Sequence, residues 1–476
     1  MTNIQTSETI WELIRQGELE RAEETAANLI RRGSSDASVV LGHATACARQ
    51  LAFERVVDSA MGIVSSADAD LSHQIFAIRL LCIAFASLGA PEAVRPYIDR
   101  LDFSGSPHSS DHCWPGRLLM DIGATEEALK LFLDVNQAFP DNAFVRFYIG
   151  HARRTIGDSS AFVEELQFSS KAFWRAHYSN ASYAPYIDRM WEGEPLDGKT
   201  IAVVPHGGFG DYFQFARYVP ALRQAGAREI VAVADACCHG LLRSAGFDRV
   251  TGLTSGEAEL AAADCWTGAF GLERARLLGA DLGSTGAYLA APDSRRAEEW
   301  SIRMRAAANG RPAIGIYWHS DADAGEGKSV PLYALLPLLE MAEVHWVVLQ
   351  RGFGRRRLIA AGLQCGMTVV DADLTFDETA ALIARLDGVV SICASIFHLA
   401  AALGVRSCLL AGRVLHSRHE NRERESVLYP GIATLARQPT HGDWRGAVMA
   451  CVADIRRWIA NRSGGLPGHR LEEGLP

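Results

Sequence analysis

Val203-Val204-Pro205-His206-Gly207-Gly208-Phe209-Gly210-Asp211, followed by Tyr212-Phe213-Gln214-Phe215-Ala216-Arg217-Tyr218, is the stretch whose reading decides the fold. An apolar run, Ile201 to Val204, ends in a glycine-rich turn, and a carboxylate stands at the mouth of a helix. Strand, glycine turn and helix is how α/β proteins build ligand sites, because backbone N–H groups at a helix start attract anions and polar substrates. Gly207, Gly208 and Gly210 do not give the G-x-G-x-x-G spacing of a dinucleotide site, so a simple dehydrogenase is disfavoured.

Working outward, the alternation continues to the C-terminal side. Short β-rich runs recur at Glu229–Ala234, Ala313–Trp318, His345–Leu349, Thr368–Asp371, Gly388–Ile392 and Ser407–Leu410, with helical stretches between them. That pattern predicts parallel sheets. It falls into two blocks, 200–295 and 312–440, joined by the polar stretch Asp293–Arg311 and followed by a closing helix over 443–462. The end of the chain, Ser463 to Pro476, is rich in Gly and Pro and reads as loose.

The N-terminal part, 1–180, reads as helices almost throughout, and it repeats. Gly17, Leu51, Gly89, Gly123 and Gly157 each begin a similar segment, at spacings of 34, 38, 34 and 34 residues. A turn residue is followed five positions later by a small or apolar one. A 34-residue period is that of tetratricopeptide repeats, stacked pairs of antiparallel helices. An irregular helical domain is the alternative. The clearest unit runs from Gly123 to Pro140, with Ala128, Phe132 and Val135 on one face.

A net charge of −9 argues against a general nucleic-acid binder. The start of the chain carries Glu8 and Glu12 and does not read as a signal peptide. No apolar run reaches the roughly 18 residues of a membrane span. The ten cysteines are scattered without a C-x-x-C pair, so neither a zinc site nor a disulfide framework is expected, and a reducing cytoplasm is the expected compartment.

The motifs together resemble heptosyltransferase-like proteins, glycosyltransferase family nine, fused to tetratricopeptide repeats. The resemblance rests on Gly207 to Asp211 with Gln214 to Tyr218, on Ala313 to Trp318 followed by Lys328-Ser329-Val330-Pro331-Leu332, and on Leu349 to Gly352. It continues through Asp377 to Asp387, His398 to Gly404, and Tyr429-Pro430, Arg437-Gln438 and Asp443-Trp444. It implies a GT-B fold, two Rossmann-like domains facing across a cleft, preceded here by the helical solenoid. The first domain presents the acceptor and the second holds a nucleotide-sugar. The implied reaction is an inverting, metal-independent sugar transfer, with the nucleotide-sugar as co-substrate and no further cofactor.

Inverting transfer needs a base for the acceptor proton and a counter-charge for the departing phosphate. Asp211 is the candidate base, and a helix N-cap is its other reading. Gly208, Gly210, Gln214 and Arg217 fall on the acceptor side of the cleft, although Arg217 equally fits a surface ion pair. On the donor side stand Lys328, His319, Ser320, Ser395 and His398. Ser395 is expected to cap a helix whose N–H groups face phosphate. Lys328 also fits a solvated lysine beside the Gly/Asp loop from Asp321 to Gly327, and His398 a packed core histidine.

Two departures stand out. The family pattern has Asp-Thr where this chain has Cys393-Ala394, which removes a carboxylate and a hydroxyl from the donor side. The charged run Arg413 to Arg424 lacks the expected tryptophan-rich pattern and reads as a solvated loop, with an anion patch of Arg413, His416, Arg418 and His419 as the alternative. The leading expectation is transfer to a protein or peptide acceptor held by the repeats, without integral membrane association. The alternative is a degenerate transferase-like scaffold that recruits partners, motivated by Cys393-Ala394. Transfer onto lipopolysaccharide is weaker, since no basic or amphipathic membrane-binding segment is evident.

Overall fold

A computed structural model of the chain describes residues 3–66, 69–140, 142–178, 182–280, 286–320 and 327–463. The tail from residue 464 on, expected from the sequence to be loose, and most of the loop before Gly327 lie outside the described residues.

Helical hairpins form the N-terminal part: α1 (Asn3–Arg15) with α2 (Leu19–Arg31), then α3 (Ala37–Arg49) with α4 (Phe53–Val64). Next come α5 (Leu71–Ser87), α6 (Trp114–Asp121) with α7 (Thr125–Ala138), and α8 (Ala143–Thr155). The starts of α1, α3 and α5 are 34 residues apart (37 − 3 and 71 − 37). All five turn positions read from the sequence have left-handed backbones: φ is 75° at Gly17, 61° at Leu51, 78° at Gly89, 85° at Gly123 and 102° at Gly157. Each ends a helix in the same way. In the first, the Glu18 N–H reaches the Leu13 carbonyl at 2.9 Å, and in the fourth the Ala124 N–H reaches Leu119 at 2.9 Å. This pairing satisfies carbonyls that a helix end otherwise leaves bare. From α3 to α8 the helices bury one apolar core that includes Ala44, Ala60, Ala77 and Ala128, with Phe132 filling the space against Gly116, and α1 and α2 pack a second cluster around Ile10, Ala22 and Ala26.

The second part holds a four-stranded parallel sheet of order β3-β2-β1-β4, made by β1 (Thr200–Val204), β2 (Glu229–Val233), β3 (Arg249–Thr251) and β4 (Cys265–Gly268). The third part holds six parallel strands in the order β10-β9-β8-β5-β6-β7. They are β5 (Ala313–Tyr317), β6 (His345–Val348), β7 (Thr368–Val369), β8 (Gly388–Ile392), β9 (Ser407–Ala411) and β10 (Ala433–Arg437). This is the doubly wound order, in which the chain reverses direction across the sheet between β5 and β8. The strands at both reversal points, β1, β5 and β8, are almost wholly buried, as strands covered on both faces must be.

The two sheets belong to lobes that share a continuous apolar core. The linker helix α10 (Arg295–Ala308) and the helices α11 (Phe376–Ile383) and α12 (Ser395–Ala402) take part in it. Asp377 on α11 accepts from the backbone N–H groups of Gly240 and Leu241 in the first lobe, at 2.8 and 2.9 Å. The closing helix α13 (Trp444–Ser463) lies on the second sheet through Trp444, Ala447, Val448 and Ile455. The architecture is therefore a helical segment followed by two Rossmann-like domains across a cleft, the GT-B arrangement implied by the resemblance. No described helix is long and apolar enough to cross a membrane.

Candidate active site

Both reversal points face the same cleft. Residues 205–211 follow β1, and residues 318–320 and 393–395 follow β5 and β8. In such sheets the crevice beyond the strand ends at the reversal point is where ligands sit.

Asp211 is placed by the glycine turn. Gly207 has φ 93°, and a Cβ there would lie 2.5 Å from Asp211 Oδ2 and 2.6 Å from Phe270, so no larger residue fits. The helix α9 (Phe209–Phe215) starts three residues before the expected Tyr212. Asp211 is therefore its third residue and not its N-cap. Gly208 is the N-cap and has no side chain to offer, so Asp211 reaches back and its Oδ2 accepts from the Gly208 N–H at 2.8 Å. Its Oδ1 accepts from Arg418 Nη2, also at 2.8 Å. Capping accounts for one oxygen and leaves the other facing a cation from the opposite lobe.

At Gly210 the two lobes touch. A Cβ at this position would meet His398 Cδ2 at 3.0 Å and Ser395 Cα at 3.2 Å. The start of α9 thus lies against the start of α12. Ser395 is the first residue of α12, and the N-cap is Ala394, which has no side-chain bond to give. The expected serine cap is replaced by bare backbone N–H groups, because Ala394 takes the extended conformation that a cap requires. His398 is buried, with Nδ1 2.9 Å from the Tyr429 hydroxyl and Nε2 3.8 Å from Cys393 Sγ. Burial, then the charges of Arg418, His419, Arg217 and Lys328, push its pKa well below the ordinary histidine range, so the ring is neutral.

Gly208, Gly210, Asp211, Ser320, Lys328, Ser395 and His398 all line one cavity of about 870 Å³. Three sequence candidates do not. His319 is buried, and its Nε2 lies 2.9 Å from the Arg49 carbonyl, so it ties the second sheet to the helical segment. Gln214, a residue of α9, is buried, 3% exposed. Arg217 does not line the cavity. It lies between the rings of Tyr288 and Tyr429, 4.8 and 4.7 Å from their centroids, and donates to the Leu428 carbonyl at 2.5 Å. A guanidinium stacked on aromatic rings joins the lobes through its flat faces.

The charged run after β9 is solvated only in part, at His416 and from Asn421 to Arg424. Ser417, Arg418, His419 and Glu420 are buried. Arg418 is clamped between Phe215 and Phe270, about 5.1 and 5.0 Å from their centroids. His419 is neutral: burial, then the Arg418 charge, pushes it to about 3. The helical segment supplies the remaining wall through Arg79, Ile83, Asp121 and His151. Neither Arg418 nor that wall stands out in the sequence; the one available signal was the cluster of Arg and His just past a strand end.

Among the described residues, one trio, Glu23, His43 and Cys47, brings metal-ligand atoms within 4.8 Å of one another. It lies in the helical segment, where Glu23 already holds Arg55 and Gln50 and burial pushes the Cys47 thiol up to about 12.

No family model matches the chain. It is 24% identical over 357 residues to the protein FlbA of Caulobacter vibrioides, covering 62% of this chain and 59% of FlbA. The chain thus spans little more than half the length of that curated relative. Among solved structures it is similar to the ADP-heptose lipopolysaccharide heptosyltransferase II of E. coli, at 17% identity over 56% of this chain and 99% of that one, with a TM-score of 0.42. It is also similar to a glycosyl transferase of family 9 from Veillonella parvula, at 13% identity over 57% of this chain and all of that one, with a TM-score of 0.41.

Proposed function

We propose that the protein is a glycosyltransferase that moves a sugar from a nucleotide-sugar to a hydroxyl acceptor, with Asp211 as the base. The observation that supports this best is the meeting of three unlike groups on one cavity: a carboxylate from the first lobe, the bare N-terminus of α12, and Lys328 after the reversal-point strand β5. The N-terminus and the lysine suit a phosphate that gains negative charge as it leaves. The carboxylate sits across from them, where an attacking hydroxyl must lose its proton for displacement from the opposite face. The chain's own residues supply both functions without calling on a metal ion.

The repeats bear on the acceptor. Residues of α5 and α6 line the same cavity as Asp211, so an acceptor bound there lies beside the helical segment. A stacked hairpin array offers a long surface for an extended chain, and a protein or peptide is the acceptor class that uses it. Cys393-Ala394 favours the second reading, a transferase-like scaffold, because the cavity floor there carries neither charge nor hydroxyl.

The test separates the two. UDP-, GDP-, ADP- and CMP-sugars are titrated by thermal shift, and nucleotide release from the stabilising donor is then followed. The transferase reading predicts stabilisation by at least one donor. It also predicts that Asp211→Asn keeps donor binding and loses roughly a hundredfold or more of turnover. A folded protein that no donor stabilises is the scaffold.

A further inference from the structure

We propose that Arg418 is a positioning residue for Asp211, delivered across the cleft by a loop that the helical segment holds in place; the proposal rests on the transferase reading above.

The contacts of Arg418 assign this task. Nη2 donates to Asp211 Oδ1 at 2.8 Å, and Nε points to His416 Nδ1 at 3.4 Å. Among the described residues, Nη1 has no hydrogen-bond partner. The guanidinium is 8% exposed and cannot swing, because Phe215 and Phe270 of the first lobe flank it. A buried cation without a partner would be costly at this point, and Asp211 is the carboxylate that meets it. The neighbouring histidines His398 and His419 are neutral and do not compete for the carboxylate; the direct hydrogen bond to Asp211 Oδ1 comes from Arg418.

The loop that carries Arg418 is fixed from the other side. Ser417 Oγ hydrogen-bonds Glu165, and Glu420 Oε2 accepts from Ser159 Oγ at 2.5 Å. Both partners belong to the helical segment. His151 Nδ1 lies 2.7 Å from Glu165, and Arg154 donates to the same carboxylate at 2.7 Å. The residues on either side of Arg418 are therefore bolted to the repeats, and the guanidinium between them is aimed at the base. The carboxylate is held at both oxygens, by the Gly208 N–H from its own lobe and by Arg418 from the other. It acquires its working orientation only when the lobes and the helical segment are docked.

Misplacing a catalytic group by about 1 Å can cost on the order of a hundredfold in rate. The experiment measures donor turnover, as nucleotide release from the sugar nucleotide that stabilises the protein, in four variants. Arg418→Met keeps the length and apolar stem without the charge. Arg418→Lys keeps a charge without the planar fork. Asp211→Asn and the double variant Asp211→Asn/Arg418→Met complete a cycle, and the double variant removes both charges, so it guards against a fold lost to one unpaired ion. The proposal predicts that Arg418→Met lowers kcat by about a hundredfold with donor KM changed less than about threefold. Arg418→Lys recovers part of that loss. In the Asp211→Asn background, Arg418→Met has no further effect, since a residue that acts through the base has nothing left to act on. Losses that multiply in the double variant, or an Arg418→Met enzyme of normal kcat, overturn the proposal and leave the transferase reading standing. A protein that binds none of the sugar nucleotides overturns both.

Discussion

Asp211 takes its position from three neighbours: a glycine turn that admits no side chain, an N-cap that has none, and a guanidinium from another lobe. The turn and the carboxylate were legible in the sequence, since both lie in one short run. Arg418 entered the sequence reading only within the alternative, an anion patch, because a run of mixed charge looks solvated until tertiary packing shows two phenylalanines closing over it. The same limit applied to Arg217 and His319, whose partners come from residues 211 and 270 positions away in the chain. Two predictions belong at this scale. Lys328→Ala is expected to weaken donor affinity by at least about tenfold, the scale of one charge-assisted hydrogen bond, read by calorimetric titration; unchanged affinity would move the phosphate elsewhere. The buried neutral histidines set a pH dependence. His419, held at about 3 against 6.5 unfolded, takes up its proton more readily in the unfolded chain. His398 acts in the same direction. Their contribution is intact above pH 6.5 and is lost as the pH falls below it, so the melting temperature should drop between about pH 6.5 and 4. A flat profile over that range would contradict their burial as neutral rings.

At the scale of elements, the repeat was legible because its turns are chemical signals. Four of the five left-handed positions are glycine, and the fifth, Leu51, adopts the same backbone at a cost that glycine avoids. Three strands escaped sequence reading. Arg249–Thr251 and Cys265–Gly268 are three and four residues long with polar members, and Ala433–Arg437 alternates too weakly to stand out from its loop. Pairing with already formed neighbours makes them strands, which is a tertiary effect. The contact between α9 and α12 gives the element-scale prediction. Gly210→Val places atoms into His398 and Ser395, of which Ser395 presents backbone that cannot turn aside. It should force the two helix starts apart, costing about 1–3 kcal/mol in a denaturant melt and most of the donor turnover. A variant with wild-type turnover would mean that the closeness of the lobes at this point is immaterial.

The whole molecule is held together at Arg154, a fully buried side chain on α8. Its donors reach Glu165 in the helical segment at 2.7 Å and Glu273 in the first lobe at 2.9 Å, and its Nε lies 3.6 Å from Glu420 in the second lobe. One cation thus touches all three parts of the chain. Arg154→Met is expected to destabilise the protein by about 3 kcal/mol or more, because it strands buried carboxylates. It should also split the cooperative melt into separate transitions of the helical segment and the lobes, read by calorimetry; a single unshifted transition would show that the junction does not couple them. This junction had no sequence signature, since its members are scattered over 266 positions (420 − 154).

The central claim is that the cavity between the lobes, walled by the repeats, receives a sugar nucleotide against α12 and Lys328. Thermal titration with UDP-, GDP-, ADP- and CMP-sugars tests it most directly. The account predicts a concentration-dependent rise in melting temperature with at least one of them, lost in Lys328→Ala and kept in Asp211→Asn. A folded protein whose melting temperature none of the four raises would contradict it.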